Sequence, residues 1–260
     1  MDDQEYATGD NNPNFHCNDY DGPAGFVDAI AFHNAPGAAC GDQTPPQITC
    51  PAGLTLECSA TGGVPASTAA AMAFLAGASA TDDIDTTPTI TTNAPTFFPN
   101  GTTTVAFTAK DDAGNAATCS ASVTVSDTTP PQLAAFAFSP SKLAPPNHKL
   151  VPISVPTLVA TDVCDAAPSI RCSVANSELP NGLGDGNQPI DIIFNGNKIA
   201  TQAMVERQIV TSAGKGTFTL QLRAERSGTG NGRTYTTSCV GVDTVGNRST
   251  ASAATVVVPK

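Results

Sequence analysis

A chain of 260 residues is long enough for one large or two ordinary domains, but 5 % aromatic residues and no tryptophan leave its cores to Val, Ile, Leu, Ala and a few Phe. Twenty-three acidic against twelve basic side chains give a net charge of −11, which repels nucleic-acid phosphates and anionic membrane surfaces and attracts cations. No run of eighteen apolar residues occurs, so no membrane insertion is expected. The acidic start Met1-Asp2-Asp3 is unlike a secretory signal and reads as a cloning or processing boundary. With 22 Gly and 21 Pro, the composition suits turn-rich β-structure. Eight cysteines without Cys-x-x-Cys spacing point to disulfides in an oxidising compartment.

Residues 1–41 read as an irregular arm, or the remnant of a preceding domain, that pairs with another chain. Asn11-Asn12-Pro13-Asn14 and Asp19-Tyr20-Asp21-Gly22-Pro23 are turn chemistry, followed by one apolar run from Phe26 to Phe32. His16, Cys17, His33 and Cys40 fit no zinc spacing, and a Cys17–Cys40 disulfide is the better expectation.

From there the punctuation repeats. Asp42-Gln43-Thr44-Pro45-Pro46-Gln47 returns as Asp127-Thr128-Thr129-Pro130-Pro131-Gln132, and each is followed by an Asp-x-x-Gly-Asn turn, at Asp111 to Asn115 and Asp243 to Asn247. Two modules are therefore expected, 42–126 and 127–260. In the first, Ile48-Thr49-Cys50 and Leu54 to Cys58 are short alternating segments broken by Pro51 and Gly53, as in an edge strand that changes partner. Residues 69–80 are Ala-rich, yet Gly77 and the flanking Thr and Ser favour a loop or strand over a helix. The acidic turn Asp82-Asp83-Ile84-Asp85 precedes a hairpin, Thr104 to Thr108 with Cys119 to Val125, in which Cys119, Ala121, Val123 and Val125 share a face. Short strands and frequent turns make a β-sandwich.

Thr44-Pro45-Pro46-Gln47-Ile48-Thr49-Cys50-Pro51, Phe98-Pro99-Asn100-Gly101, Thr103 to Ala109, Asp111 to Asn115 and Cys119 together resemble the hyalin repeat, an immunoglobulin-like module of extracellular proteins. The resemblance implies a cysteine after the acidic turn. Ile84 stands there instead, which leaves Cys58 without the partner the family implies. The second module is longer between its landmarks. Pro145 to Pro152, Ala160 to Asp165, Gly182 to Asn187, Leu222 to Gly228 and Gly230 to Tyr235 resemble a bacterial immunoglobulin-like module near the ends of large secreted proteins. Such modules serve as spacers, adhesive units or attachments to enzymes.

The fold class expected is all-β: two tandem immunoglobulin-like sandwiches behind the arm. In that fold the chain enters at the end carrying the B–C and F–G loops, so Asp127 would meet Asp162, Asp165 and Asp243, and one module earlier Asp42 would meet Asp82, Asp83, Asp85 and Asp111. Unit charges about 4 Å apart repel by around 4 kcal/mol near a surface. Calcium, with six to eight oxygen ligands, would remove that cost; Asp residues that merely cap turns are the competing explanation. A further calcium candidate is Asp185, Asn187 and Asp191 with Glu178, although the bidentate Glu of an EF-hand is missing. Arg223, Glu225, Arg226 and Arg233 read as an internal network organising the insertion.

Among the disulfides, Cys50–Cys119 is the strongest expectation. Cys172–Cys239, on the adjacent C and F strands of such a sheet, is the second; Cys164–Cys172 stays open, and Cys58 and Cys164 are left over. No catalytic constellation is present: His16, His33 and His148 lie far apart, no Gly-x-Ser-x-Gly elbow occurs, and His148 reads as structural. The expected function is a non-catalytic, calcium-stiffened structural or adhesive segment at a bacterial cell surface. Its partners would be neighbouring modules or identical subunits of a filament, contacted through the arm. The alternative is a carbohydrate- or substrate-binding accessory module of a secreted enzyme.

Overall fold

The computed structural model describes residues 42–178, 190–200, 202–209, 211–226, 228 and 231–260. The expectations for the arm, including Cys17 and Cys40, and for Asp185 and Asn187 lie outside the described residues.

The fold is all-β, with one short helix. In chain order come β1 (Gln47–Thr49), β2 (Leu54–Glu57), β3 (Gly63–Pro65), α1 (Ala69–Leu75), β4 (Ser79–Thr81), β5 (Thr89–Thr92), β6 (Phe97–Pro99), β7 (Gly101–Lys110) and β8 (Ala116–Ser126). After the Pro130-Pro131 pair follow β9 (Gln132–Leu133), β10 (Leu150–Ile153), β11 (Leu158–Thr161), β12 (Ser169–Asn176), β13 (Ile192–Phe194), β14 (Asn197–Ile199) and β15 (Arg207–Ile209). The chain closes with β16 (Thr211–Ser212), β17 (Lys215–Gly216), β18 (Leu220–Arg223), β19 (Arg233–Val242) and β20 (Ser252–Val258). The described residues form two compact units: 42–50 with Gly77–Asn93 and Ala106–Ser120, and Pro51–Ala76 with Ala94–Val105 and the described residues from Ala121 on.

In the first unit β1 runs antiparallel to β4, with Ile48 opposite Ala80, and β5 runs antiparallel to the end of β7, with Thr89 opposite Lys110. Phe107 and Ala109 are fully buried, and Cys50 is bonded to Cys119. The turn after β7 closes with Asp111 N–H donating to Asn115 O and Gly114 N–H to Asp111 O. Gly114 holds φ +100° there, a conformation glycine adopts without steric cost.

In the second unit β2 lies parallel to β8, with Leu54 opposite Val123. β1 and β2 thus pair with different strands, because Pro51 offers no amide donor and Gly53 no side chain to continue a ladder. β3 pairs with β6 so closely that a Cβ on Gly63 would lie 2.1 Å from Phe98 O. Residues 69–75 are helical rather than loop or strand. Ala, Met and Leu favour the helix, and Ala71 and Phe74, three apart, share its buried face, while Met72 points to solvent. Gly77 ends the run just beyond the helix instead of abolishing it.

The larger sandwich is built from sheets ordered β15-β12-β19-β20, β10-β18-β13-β14 and β16-β17-β11-β9. β19 alternates between buried and half-buried side chains along its whole length, the period-2 signature of a strand with one face in a core. One cluster gathers Ile170, Val174, Ile192, Phe194, Leu220, Leu222 and Val256, each contributing about 1.5–3 kcal/mol on full burial. Phe194 stacks on Phe218 at 4.7 Å, and Phe138 meets the same ring edge-on at 6.3 Å. Cys172 and Cys239 are directly opposed on β12 and β19 and are disulfide-bonded.

Two repeated acidic turns as candidate metal centres

Each hairpin turn is organised by its first aspartate. Asp111 Oδ1 accepts from the N–H groups of Gly114 and Asn115 at 2.6 and 2.7 Å, and its Oδ2 accepts from Asn115 Nδ2 at 2.8 Å. The same amide donates to Asp42 O at 3.0 Å, tying the segment ahead of β1 to the turn after β7. Burial alone would push the Asp111 carboxyl up, but the hydrogen bonds from Asn115 and Gly114 outweigh it and hold the group below its usual range. Asp82 Oδ1 accepts from Ile84 and Asp85 N–H, and Asp85 accepts from Thr87 and Asp112 N–H. One oxygen from each of Asp42, Asp82 and Asp111 lies within 4.8 Å of the others. Asp82 Oδ2 is buried without a hydrogen-bond partner.

The second set follows the same pattern, with one further amide donor to its first aspartate. Asp243 Oδ1 accepts from Val245, Gly246 and Asn247 N–H, its Oδ2 accepts from Asn247 Nδ2, and that amide donates to Asp127 O at 3.1 Å. Asp162 Oδ1 accepts from Cys164 and Asp165 N–H, and Asp165 accepts from Ala167 and Thr244 N–H. Asp162 Oδ2, like that of Asp82, is buried without a partner. Burial, then the neighbouring charges of Asp162, Asp243 and Glu57, push the Asp127 carboxyl up, against the Thr129 N–H that lowers it. Capping therefore accounts for one oxygen of Asp82 and Asp162 and for both of Asp111, Asp243, Asp85 and Asp165. The second oxygen of Asp82 and of Asp162 is left over.

The turn after β2 meets Cys164, between Asp162 and Asp165. Cys58 is disulfide-bonded to Cys164, Gly62 N–H donates to Cys164 O at 2.9 Å, and Asn100 Nδ2 reaches the Cys164 sulfur at 3.4 Å. Glu57 accepts from Thr128 N–H and Oγ1 and from Thr129 Oγ1, all within 2.9 Å. The Thr128 N–H, followed by the two hydroxyls, holds the Glu57 carboxyl below its usual range. A carboxylate lowered in this way stabilises above its ordinary pKa and loses that contribution as pH falls through the lowered value. Amide hydrogen exchange at Thr128 should therefore accelerate on acidification in the native chain and respond less in Glu57→Gln; identical profiles would assign the contact no role. The Cys58–Cys164 bond is what sequence reasoning left unassigned. Its signal was the placement of Cys164 at the position that holds Ile84 one module earlier.

The third candidate is differently engaged. Asp191 Oδ2 accepts from Arg233 Nη1 at 2.6 Å, and Asp191 Oδ1 stands 3.5 Å from Arg223 Nε. Glu178 Oε2 accepts from Arg233 Nε at 3.1 Å, so both carboxylates belong to the arginine network. Tyr235 OH donates to Arg223 O, and burial pushes its phenol up, keeping it a neutral donor. Arg223 also donates to Ile190 O and His148 O, and His148 Nδ1 faces Glu225 Oε2 at 3.1 Å. His148 sits at φ +60° just ahead of β10, in a structural position.

Among solved structures, the chain is similar to fibronectin(III)-like modules of Clostridium thermocellum CbhA, at 11% identity and a TM-score of 0.25 over 82% of this chain and 94% of that one. It is also similar to the D00-D0 domain of intimin, at 11% identity and a TM-score of 0.26 over 83% of this chain and 100% of that one. Cadherin domains 1-4 of protocadherin gamma B7 match at 12% identity and a TM-score of 0.31, over 84% of this chain and 50% of that one. No curated protein matches the chain. Residues 41–125 match the family model of the HYR domain, the hyalin-repeat family that the motifs from Thr44 to Cys119 resemble.

Proposed function

We propose that the chain is a non-catalytic segment of an extracellular or cell-surface structural or adhesive protein. Its modules, 42–126 and 127–260, are stiffened by disulfides and by calcium at the two acidic turns. Asp42, Asp82 and Asp111 would hold one ion, and Asp127, Asp162 and Asp243, with Asp165 beside them, the other. The observation that carries this reading is the grouping of Asp42, Asp82 and Asp111 within 4.8 Å, together with a buried, unpartnered oxygen on both Asp82 and Asp162. A hard divalent cation offsets the repulsion of such a group and supplies the missing partner.

Thermal unfolding in calcium and in chelator tests the reading. An ion present at about a hundred times its dissociation constant adds about 2.7 kcal/mol, which raises the midpoint by about 5 °C or more. Asp82→Asn and Asp162→Asn should each lower the calorimetric stoichiometry by one ion. Equal midpoints in calcium and chelator, with no heat of binding, would remove calcium from the proposal.

A further inference from the structure

Asp127, Asp162 and Asp243 come from three separate stretches of chain, and two of the gaps between those stretches are bridged directly. Asn247 Nδ2 donates to Asp127 O at 3.1 Å, joining the turn after β19 to the segment ahead of β9. Thr244 N–H donates to Asp165 Oδ2 at 2.9 Å, joining the same turn to the loop between β11 and β12. The third gap, from Asp127 to the loop of Asp162, is spanned by the last residue of β2 and the one after it. Glu57 accepts from Thr128 N–H, Thr128 Oγ1 and Thr129 Oγ1 at 2.8, 2.9 and 2.8 Å, and Cys58 N–H donates to Ser126 O at 2.8 Å, so this dipeptide holds the chain on both sides of Asp127. Cys58 is disulfide-bonded to Cys164, whose own N–H donates to Asp162 Oδ1 at 2.7 Å.

We infer that Glu57-Cys58 is the positioning element of the second ion site: it holds Asp127 and Asp162 in the binding arrangement before the ion arrives, so that the Cys58–Cys164 bond sets calcium affinity as well as stability. The inference rests on the calcium reading above. Carboxylates that must be gathered on binding bind more weakly, in proportion to the fraction of time they spend gathered, and a link that gathers them beforehand removes that loss. Four like charges resist gathering, which makes such a link matter more here than in a neutral loop. The first site supplies the contrast. Its turn, Asp82-Asp83-Ile84-Asp85, contains no cysteine, so its affinity cannot depend on a bond of this kind.

Calorimetric titration of the full chain with calcium chloride, in two backgrounds, tests this: Asp82→Asn leaves the second ion to be measured and Asp162→Asn the first. Thr128→Val with Thr129→Val removes both hydroxyl donors to Glu57 at exposed positions and leaves every charge in place. It should weaken the second ion about tenfold, as when the loops hold the binding arrangement about a tenth of the time. Cys58→Ser with Cys164→Ser should weaken it at least as much, and neither pair should change the affinity of the first ion. Unchanged affinity of the second ion in the threonine pair would overturn the inference while leaving calcium binding in place. An equal loss at both sites would overturn it as well, because a general loosening of the chain would then be the cause. No heat of binding in the native chain would remove the calcium reading and this inference together. If the cysteine pair does not fold, the threonine pair decides alone, since its side chains lie at the surface.

Discussion

Arg233→Ala is expected to destabilise the larger sandwich by about 3–5 kcal/mol, the range for removing one partner of a buried ion pair. Arg233 is fully buried on β19, donates to Asp191 at 2.6 Å and to Glu178 at 3.1 Å, and lies beside the Tyr235 hydroxyl. Its removal takes away the shortest contact holding the buried Asp191 charge and opens a cavity at the polar end of the core. Arg233→Lys keeps the charge but not the planar fork that spans two carboxylates, so its loss should be smaller yet clear. Arg248→Ala is the control: its bridge to Glu206 is at the surface, and its removal should cost about 0–1 kcal/mol. Denaturant midpoints for the three variants decide the matter. A loss below about 1 kcal/mol in Arg233→Ala would mean that the network is polar filling with no structural role.

The second large effect is expected at the Cys58–Cys164 cross-link, replaced as Cys58→Ser with Cys164→Ser so that no lone thiol remains. The bond closes a sequence separation of 106, for which the chain-entropy estimate is about 4–5 kcal/mol of stability. Without it the turn after β2 keeps the Gly62 N–H to the residue-164 carbonyl, worth about 0.5–1.5 kcal/mol, and the Glu57 contacts to Thr128 and Thr129, while the Asn100 contact goes with the Cys164 sulfur. The double variant should unfold at lower denaturant, and protease should cut near Pro130-Pro131 well before it does in the native chain. Unchanged midpoint and cleavage would assign the joint to its hydrogen bonds alone.

Local chemistry was the legible part of this protein. Pro51 and Gly53 announce the change of partner between β1 and β2, and the Asp-x-x-Gly-Asn turns announce their hairpins, because each is decided within a few residues. The helix at Ala69–Leu75 was misread because propensity and breaker signals nearly balance over seven residues; the burial of Phe74 and Ala71 tips the result, and burial is tertiary. Asp191 looked like a ligand beside a Gly-rich stretch, whereas its partner Arg233 arrives from 42 residues further along. Cys58 found Cys164 for a similar reason. Their meeting depends on how the turn after β2 packs against the loop between β11 and β12, which no spacing rule encodes.

The disulfides also determine which parts of the chain carry load. A pull applied at the two ends of the described segment travels from Asp42 to Cys58, crosses to Cys164, runs to Cys172, crosses to Cys239 and leaves at Lys260. Residues 59–163 and 173–238 lie off that covalent route, so opening their ladders adds none of those residues to the path between the two ends. That path is three stretches of backbone, residues 42–58, 164–172 and 239–260, joined by two sulfur bridges.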